Sequence, residues 1–301
     1  MTRLPFVLLA ASLAIGAAYD YAPPRPVAQR AGYRVLVGDF HAHTRFSDGF
    51  LPPWDLVLHA RRRGLDAVGV TEHNQVFPAK LARAFSKAIG GPTGVVGEEI
   101  TFRDYHLIAL GLDHRIAPDG DVPTLVARVH AQGGVAIAAH PAAQFWKAYE
   151  PARAMLDGTE VMHPVAWADA SSERGFRWTD MRAFYLRAHE EGLRMTPIGS
   201  SDYHAFSPLG LCRTYVFVER DDEQAIVDAI RKGRTVVYDR SGRGYGPPTL
   251  VAALAAEPLE NPGPTDDGYR ARGFLDGVGR ILGLLGALAL VVVGRPRAAP
   301  D

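Results

Sequence analysis

The sequence predicts an α/β fold in which strands and helices alternate and close into a β/α barrel. Two observations carry that expectation. Short β-type runs alternate with helical patterns through the middle of the chain, and several runs are apolar throughout, as strands covered on both faces are. The histidines and carboxylates, moreover, gather mostly at the C-terminal ends of those runs, the face on which barrel enzymes build their sites. The runs are Arg34–Phe40, Ala67–Thr71, Gly94–Val96, His106–Leu110, Val135–Ala139, Glu160–Met162, Met195–Ile198 and Thr214–Val218. Helices are expected at Pro53–Arg63, Pro78–Ile89, Val122–Gln132, Asp180–Glu191 and Glu223–Lys232. Pro53 and Pro123 suit first-turn positions, and Gly64, Gly133, Gly192 and Gly233 suit helix ends. Strand–helix–strand units repeated in this way give a parallel sheet, and roughly seven or eight of them close most simply into a barrel.

The composition is that of an ordinary globular protein: 301 residues, 47% hydrophobic and 22% charged, enough to bury one large core. Lys+Arg and Asp+Glu are both 33. A net charge of zero gives no electrostatic footprint for nucleic acid as the dominant partner. The single cysteine, Cys212, excludes an intramolecular disulfide and any Cys-rich zinc module. It is expected as a small buried residue beside the strand that follows it.

Residues 1–30 read as a signal peptide or N-terminal anchor with a linker. Met1–Arg3 is basic, Leu4–Tyr19 is uncharged, and small residues follow at Gly16, Ala17 and Ala18, the layout of a secretory segment. Residues 31–238 form the folded domain. Residues 239–273 are rich in Gly and Pro and read as a tether. Residues 274–301 are expected to be a C-terminal membrane segment with a basic tail. Ile281–Gly294 is short for a span but lengthens if Arg280 snorkels, and Arg295 and Arg297 favour the cytoplasmic side. The resulting expectation is an exported, membrane-anchored protein with its domain outside the cytoplasm. A surface-lying amphipathic helix is the alternative for the C-terminal piece.

The polar residues carry the chemistry. Asp39-Phe40-His41-Ala42-His43 closes the first run, and histidines at i and i+2 share one side of a strand. Asp48 follows in Ser47-Asp48-Gly49. Thr71-Glu72-His73-Asn74 ends the second run, Glu98-Glu99 follows the third, and His106 opens the fourth. His140 ends the next, and Ser201-Asp202-Tyr203-His204 ends a late one. An apolar core has no use for this many imidazoles and carboxylates, since each one buried without a partner costs about 1–3 kcal/mol or more. A metal cluster resolves the conflict, because neutral imidazole and carboxylate are natural metal ligands. Six histidines and three carboxylates exceed one tetrahedral site, so two or three divalent ions per chain are expected. The donors allow zinc, manganese or iron.

The ordered set D-x-H-x-H-T, S-D-G, T-E-H-N, G-E-E-I, Y-H-L-I-A-L-G, A-H-P and G-S-S-D-Y-H resembles the PHP (polymerase and histidinol phosphatase) family of metallohydrolases over about Val35–Tyr238. The resemblance implies a distorted seven-stranded β/α barrel with a trinuclear site. It implies metal ligands at His41, His43, Asp48, His73, Glu99, His106, His140, Asp202 and His204, with Glu98 pointing elsewhere. The mechanism expected is metal-assisted hydrolysis in which Glu99 bridges ions, Asp202 orients the nucleophile and His204 or His43 serves as ligand and proton partner. Residues Asp228–Thr235 resemble the end of the carbaryl-hydrolase-like branch. The family more often has T-D-H where this chain has Thr71-Glu72-His73, so Glu72 is expected to shape the surroundings of the site, and Asp39 to hydrogen-bond a ligand histidine.

Arg45, Arg103 and His163 are candidate substrate-binding groups, with solvated arginines and a packed histidine as the plainer readings. His59, His130 and His189 are expected to be surface or packing residues. The substrate expected first is a small phosphoester. The alternatives are hydrolysis of a carboxyl or carbamate ester, and a metal-binding or sensory module without turnover.

Overall fold

The computed structural model describes residues 3–20, 26–167, 175–204, 207–259 and 274–293. In chain order the elements are α1 (Leu4–Asp20), β1 (Ala28–Arg30), β2 (Tyr33–Asp39), α2 (Pro53–Arg62), β3 (Ala67–Val70), α3 (Phe77–Ile89), β4 (Thr93–Phe102) and β5 (Tyr105–Leu110). These are followed by α4 (Val122–Ala131), β6 (Val135–Ala138), α5 (Trp146–Tyr149), β7 (Gly158–Met162), α6 (Trp178–Glu190), β8 (Thr196–Gly199) and β9 (Thr214–Val218). The last elements are α7 (Glu223–Arg231), β10 (Thr235–Tyr238), β11 (Gly244–Tyr245), α8 (Pro248–Ala256) and α9 (Phe274–Val293). Each of the strand runs and helices expected from periodicity is present with ends displaced by at most two residues, except that the run expected at Gly94–Val96 extends as β4 to Phe102. Prolines start α2, α3 and α4. The Asp121 and Asp222 carboxylates accept the Thr124 and Ala225 amides at 3.0 and 2.7 Å and so cap α4 and α7, satisfying donors that a helix start leaves free.

The sheet runs β11-β10-β9-β2-β3-β4-β5-β6-β7-β8, with β1 on the side of β2. It is nearly closed and barrel-shaped. Across the remaining seam, threonine hydroxyls replace a strand ladder. Thr214 Oγ1 bonds both the amide and the carbonyl of Gly199 at 2.9 Å, and Thr235 Oγ1 donates to Pro197 O at 2.8 Å. The expectation of a parallel sheet needs correction. The pairs β2–β3, β3–β4, β6–β7 and β7–β8 are parallel, but β4–β5, β5–β6, β2–β9 and β9–β10 are antiparallel. The reason is local. Arg103 and Asp104 leave β4 and β5 only a hairpin turn, with no helix to carry the chain back, and a two-residue connection forces antiparallel pairing.

Alternation sorts the core. Val35 and Val37 face the helices, while Leu36 joins Ile108, Leu110, Ile137, Ile198 and Val216 inside the barrel, together with Ile226 and Ile230 of α7. On β4 the same parity sends Val95 inward and Val96 outward, and therefore Glu99 inward and Glu98 outward.

Residues 244–256, within the stretch expected to be a tether, form β11 and α8, and β11 extends the sheet beyond β10. No helix among the described residues is long and apolar enough to cross a membrane, so neither the C-terminal membrane segment nor the N-terminal anchor offered beside a signal peptide is supported. The apolar ends instead pack on each other. Gly279, Gly283 and Gly286 of α9 lie against Ile15, Ser12 and Leu9 of α1, so the two helices run antiparallel. The basic tail at 294–301 lies outside the described residues.

Candidate metal centre

The nine expected ligands converge at one mouth of the barrel. Two backbone ties assemble it: His43 N donates to Tyr203 O at 3.0 Å and Tyr203 N to His41 O at 3.2 Å, joining the loop after β2 to the loop after β8. A bridge between His73 and Glu99 adds the loop after β3. His140 and Asp202 reach inward from residues with φ of 26° and 43°. That left-handed backbone is uncommon for residues with a side chain and concentrates at functional sites.

Glu99 lies at the centre, 1% exposed. Its Oε1 is 2.8 Å from His106 Nδ1, 3.2 Å from His140 Nε2 and 3.5 Å from His41 Nε2. Its Oε2 is 2.8 Å from His73 Nδ1 and 3.5 Å from His43 Nε2. A second focus forms around Asp202 Oδ1, 3.2 Å from His41 Nε2 and 3.3 Å from His43 Nε2, while those two nitrogens are 3.1 Å apart. A third is built on Asp48, whose oxygens lie 3.2 Å from His204 Nε2 and 3.3 Å from His73 Nε2.

These groups fit a metal. Ligands at ~2.0–2.1 Å from a tetrahedral ion stand roughly 3.3 Å from one another, close to the spacing of the His41–His43–Asp202 set. His43 Nδ1, His140 Nδ1 and Asp202 Oδ1 are shielded from solvent and have no hydrogen-bond partner, an arrangement that costs free energy unless something else satisfies it. Four overlapping sets of three or four donors can each hold an ion, and together they use all nine residues.

The metal-free electrostatics agree. Burial alone would raise the Glu99 and Asp202 carboxyls, but the surrounding histidines, His41 foremost, hold both well below the ordinary range. Burial opposes charge on His41, yet Asp202, Glu160 and Glu99 outweigh it and hold that imidazole well above its usual value. For His43 burial prevails over Asp202 and Glu99, and its value falls to about 4. An imidazole neutral through the physiological range is ready to ligate a cation.

The support around the ligands is only partly as expected. Glu160 is an addition that reading the sequence missed. It is fully buried on β7, 2.9 Å from His41 Nδ1, and it accepts the His140 amide at 2.5 Å and the Ser200 hydroxyl. Holding the proton on Nδ1 leaves His41 Nε2 free to face the cluster. Its signal was present, a carboxylate amid the apolar Gly158–Met162 run at an inward-facing position. Asp39 does not bond a histidine ring. It accepts the Ser201, Gly210 and His41 amides and so pins the turn that carries Asp202. Glu72 is buried and accepts the Thr44 amide at 2.7 Å together with the Thr44 and Ser47 hydroxyls, clamping the loop that bears Asp48. Arg45 and Arg103 are exposed, on the loops after β2 and β4. His163 stands 3.3 Å from Asp202 Oδ2. His59 packs on Tyr203, His130 pairs with Asp157, and His189 bonds Met195 O. Cys212 is buried, as expected.

Comparison with known proteins bears on the fold that carries these residues. Residues 188–235 match the PHP-associated family model. The fold resembles that of a two-domain protein of Bacteroides vulgatus containing a predicted PHP-like metal-dependent phosphoesterase, with a TM-score of 0.55, 23% identity, and 72% of this chain and 69% of that one covered. The matched model and the shared fold together support a PHP-domain family. An uncharacterised protein of Methanocaldococcus jannaschii is 28% identical over 141 residues, covering 42% of this chain and 82% of the relative. A protein of Bifidobacterium adolescentis described as a metal-dependent phosphoesterase is similar at 20% identity and a TM-score of 0.47, over 68% of this chain and 98% of its own. The matched PHP-associated region runs from α6 to the start of β10 and so includes Asp202, His204 and the strands that complete the barrel.

Proposed function

We propose that this PHP domain is a metal-dependent phosphoesterase that holds two or three divalent ions. The observation that carries the reading is the sharing of Glu99 between imidazoles on both of its oxygens, flanked by separate foci at Asp202 and Asp48. One ion does not use nine donors, and adjoining ions that share a carboxylate do. Bound divalent ions supply a lowered pKa for water and neutralise charge developing on a phosphoryl oxygen. The protein's own part is to fix the donors. Glu160 holds the His41 proton on Nδ1, Asp39 pins the Asp202 turn, and Glu72 clamps the Asp48 loop. Asp202 and His204, lying at the rim with a fifth of their side-chain surface exposed, are placed to orient a nucleophile and exchange a proton. Arg45 and Arg103 are proposed as contacts for the anionic group. Export of the domain remains part of the proposal, motivated by the basic start and apolar stretch at Leu4–Tyr19, and compartment fractionation tests it.

The test measures metal content and hydrolysis together on p-nitrophenyl phosphate, bis-p-nitrophenyl phosphate and p-nitrophenyl acetate, with His41→Ala and Asp202→Ala beside the wild type. The expected result is two or three ions per chain, preference for a phosphate ester, and loss of turnover in both variants. Preference for the acetate would replace the phosphoesterase with a carboxyl ester hydrolase. Bound metal without turnover on any ester favours a binding module, and less than one ion per chain after reconstitution removes the multinuclear site.

A further inference from the structure

β7 supplies none of the nine candidate ligands, yet one side chain of the strand and one just after it turn toward the cluster. Glu160 supports His41, as described above. His163, the residue just after the strand, meets Asp202. The Val165 amide donates to His163 Nδ1 at 3.2 Å, which makes that nitrogen the acceptor and leaves the proton on Nε2. Nε2–H therefore donates to Asp202 Oδ2, 3.3 Å away. The two carboxylate oxygens of Asp202 are thereby given different tasks. Oδ2 is held by His163. Oδ1 faces His41 Nε2 at 3.2 Å, His43 Nε2 at 3.3 Å and His204 Nδ1 at 3.4 Å, and it has no hydrogen-bond partner of its own. The His163 ring also stands edge-on to His140, centroids 5.6 Å apart, so its plane is fixed from two sides. A group already tied at both ring nitrogens has little left to offer a substrate.

We infer that His163 is a positioning residue, which orients Asp202 so that Oδ1 is the oxygen presented to the metal, and that it is not the substrate contact expected from the sequence. The inference rests on the metal-centre reading but not on the identity of the ester. Support of this kind for a ligating carboxylate typically changes metal affinity or activity about 10–100-fold when removed. Two variants of the full chain separate the possibilities. His163→Leu fills similar space without a donor. His163→Gln can place an amide N–H near the position of Nε2.

Each is loaded with cobalt(II), and two readouts are taken: the visible absorption spectrum with metal retention against a chelator, and kcat and KM on p-nitrophenyl phosphate. The expected result is that His163→Leu alters the cobalt spectrum, releases metal about 10–100-fold more readily and lowers kcat with KM little changed, while His163→Gln recovers most of both. Unchanged metal retention with a raised KM would overturn the inference and restore the substrate contact. A Gln variant as impaired as Leu would also overturn it, since the donated hydrogen bond would not be the operative feature. If the wild type turns over no phosphoester, the phosphoesterase reading fails, while the spectrum and the chelator competition still decide the role of His163.

Discussion

Glu98 and Glu99 are neighbours in sequence with opposite fates, and the difference is one of strand parity. Glu99 points into the barrel among histidines that hold it ionised. Glu98 points outward into the buried layer beneath the Ile116 segment, where Oε1 accepts the Ile116 amide at 2.6 Å and Oε2 has no partner. Burial raises its carboxyl to about 7, against weaker opposition from that hydrogen bond and Arg115. The folded value thus exceeds the unfolded one near 4.5. The folded state binds the extra proton between the two values, so stability from this group is fully present below about 4.5 and is lost as pH rises through 7. Glu98→Gln keeps the shape and removes the titration. Urea unfolding of the metal-free protein at pH 5, 6.5 and 8 is expected to show the variant gaining on the wild type as pH rises, by about 1–3 kcal/mol at pH 8 relative to pH 5. A difference between the two proteins that is the same at all three pH values would rule the mechanism out.

At the scale of elements, the Asp48 loop shows what the sequence can and cannot tell. The β/α alternation, the helix starts at prolines and the gathering of histidines and carboxylates at strand ends were legible because each has a local signature: periodicity, fixed backbone angles, or a polar residue at the end of an apolar run. The partners of Glu160 and Glu72 were not, because a hydrogen bond across 119 or 28 residues leaves no pattern in the chain, although Glu160 itself stands out as a carboxylate within the Gly158–Met162 run. Antiparallel pairing was missed for a related reason. A two-residue turn between β4 and β5 and a late strand at Thr235–Tyr238 are short features beside strong apolar runs. The loop itself yields a prediction. Glu72 holds Thr44 and Ser47, and a Cβ on Gly49 would press into the His43 backbone. Glu72→Ala releases the loop and Gly49→Ala pushes it outward. If the proposed ions are bound, both are expected to cost the one assigned to Asp48, His73 and His204 while those assigned to the deeper groups around Glu99 and Asp202 stay. Metal analysis after dialysis reads the outcome directly as one ion fewer per chain. Complete loss of metal would mean that the cluster is a single cooperative unit.

For the whole molecule, the question is what the two apolar ends do. A cleaved signal would leave α9 with its Gly279, Gly283 and Gly286 side uncovered. In the folded chain α1 fills it, and Ser12 there is 1% exposed. Close approach of this kind depends on the missing Cβ atoms, because a side chain at Gly283 would meet Ser12 at once, and packing contacts are lost steeply with separation. The same pair leaves Phe6, Val7, Ile281 and Leu288 at about 60% exposure, so its outer side stays apolar while its inner side is matched. The pairing therefore predicts that α1 is retained in the mature protein and held by α9. The intact mass of the purified full-length protein should include residues 1–20, and limited proteolysis should spare α1. Gly283→Leu should open the pair, so that a protease removes α1 quickly, with metal content and turnover of the barrel unchanged because no ligand touches either helix. If α1 is absent from the mature chain, or if Gly283→Leu leaves proteolysis as it was, the helices do not hold each other, and the N-terminal segment returns to being a signal that is cut away.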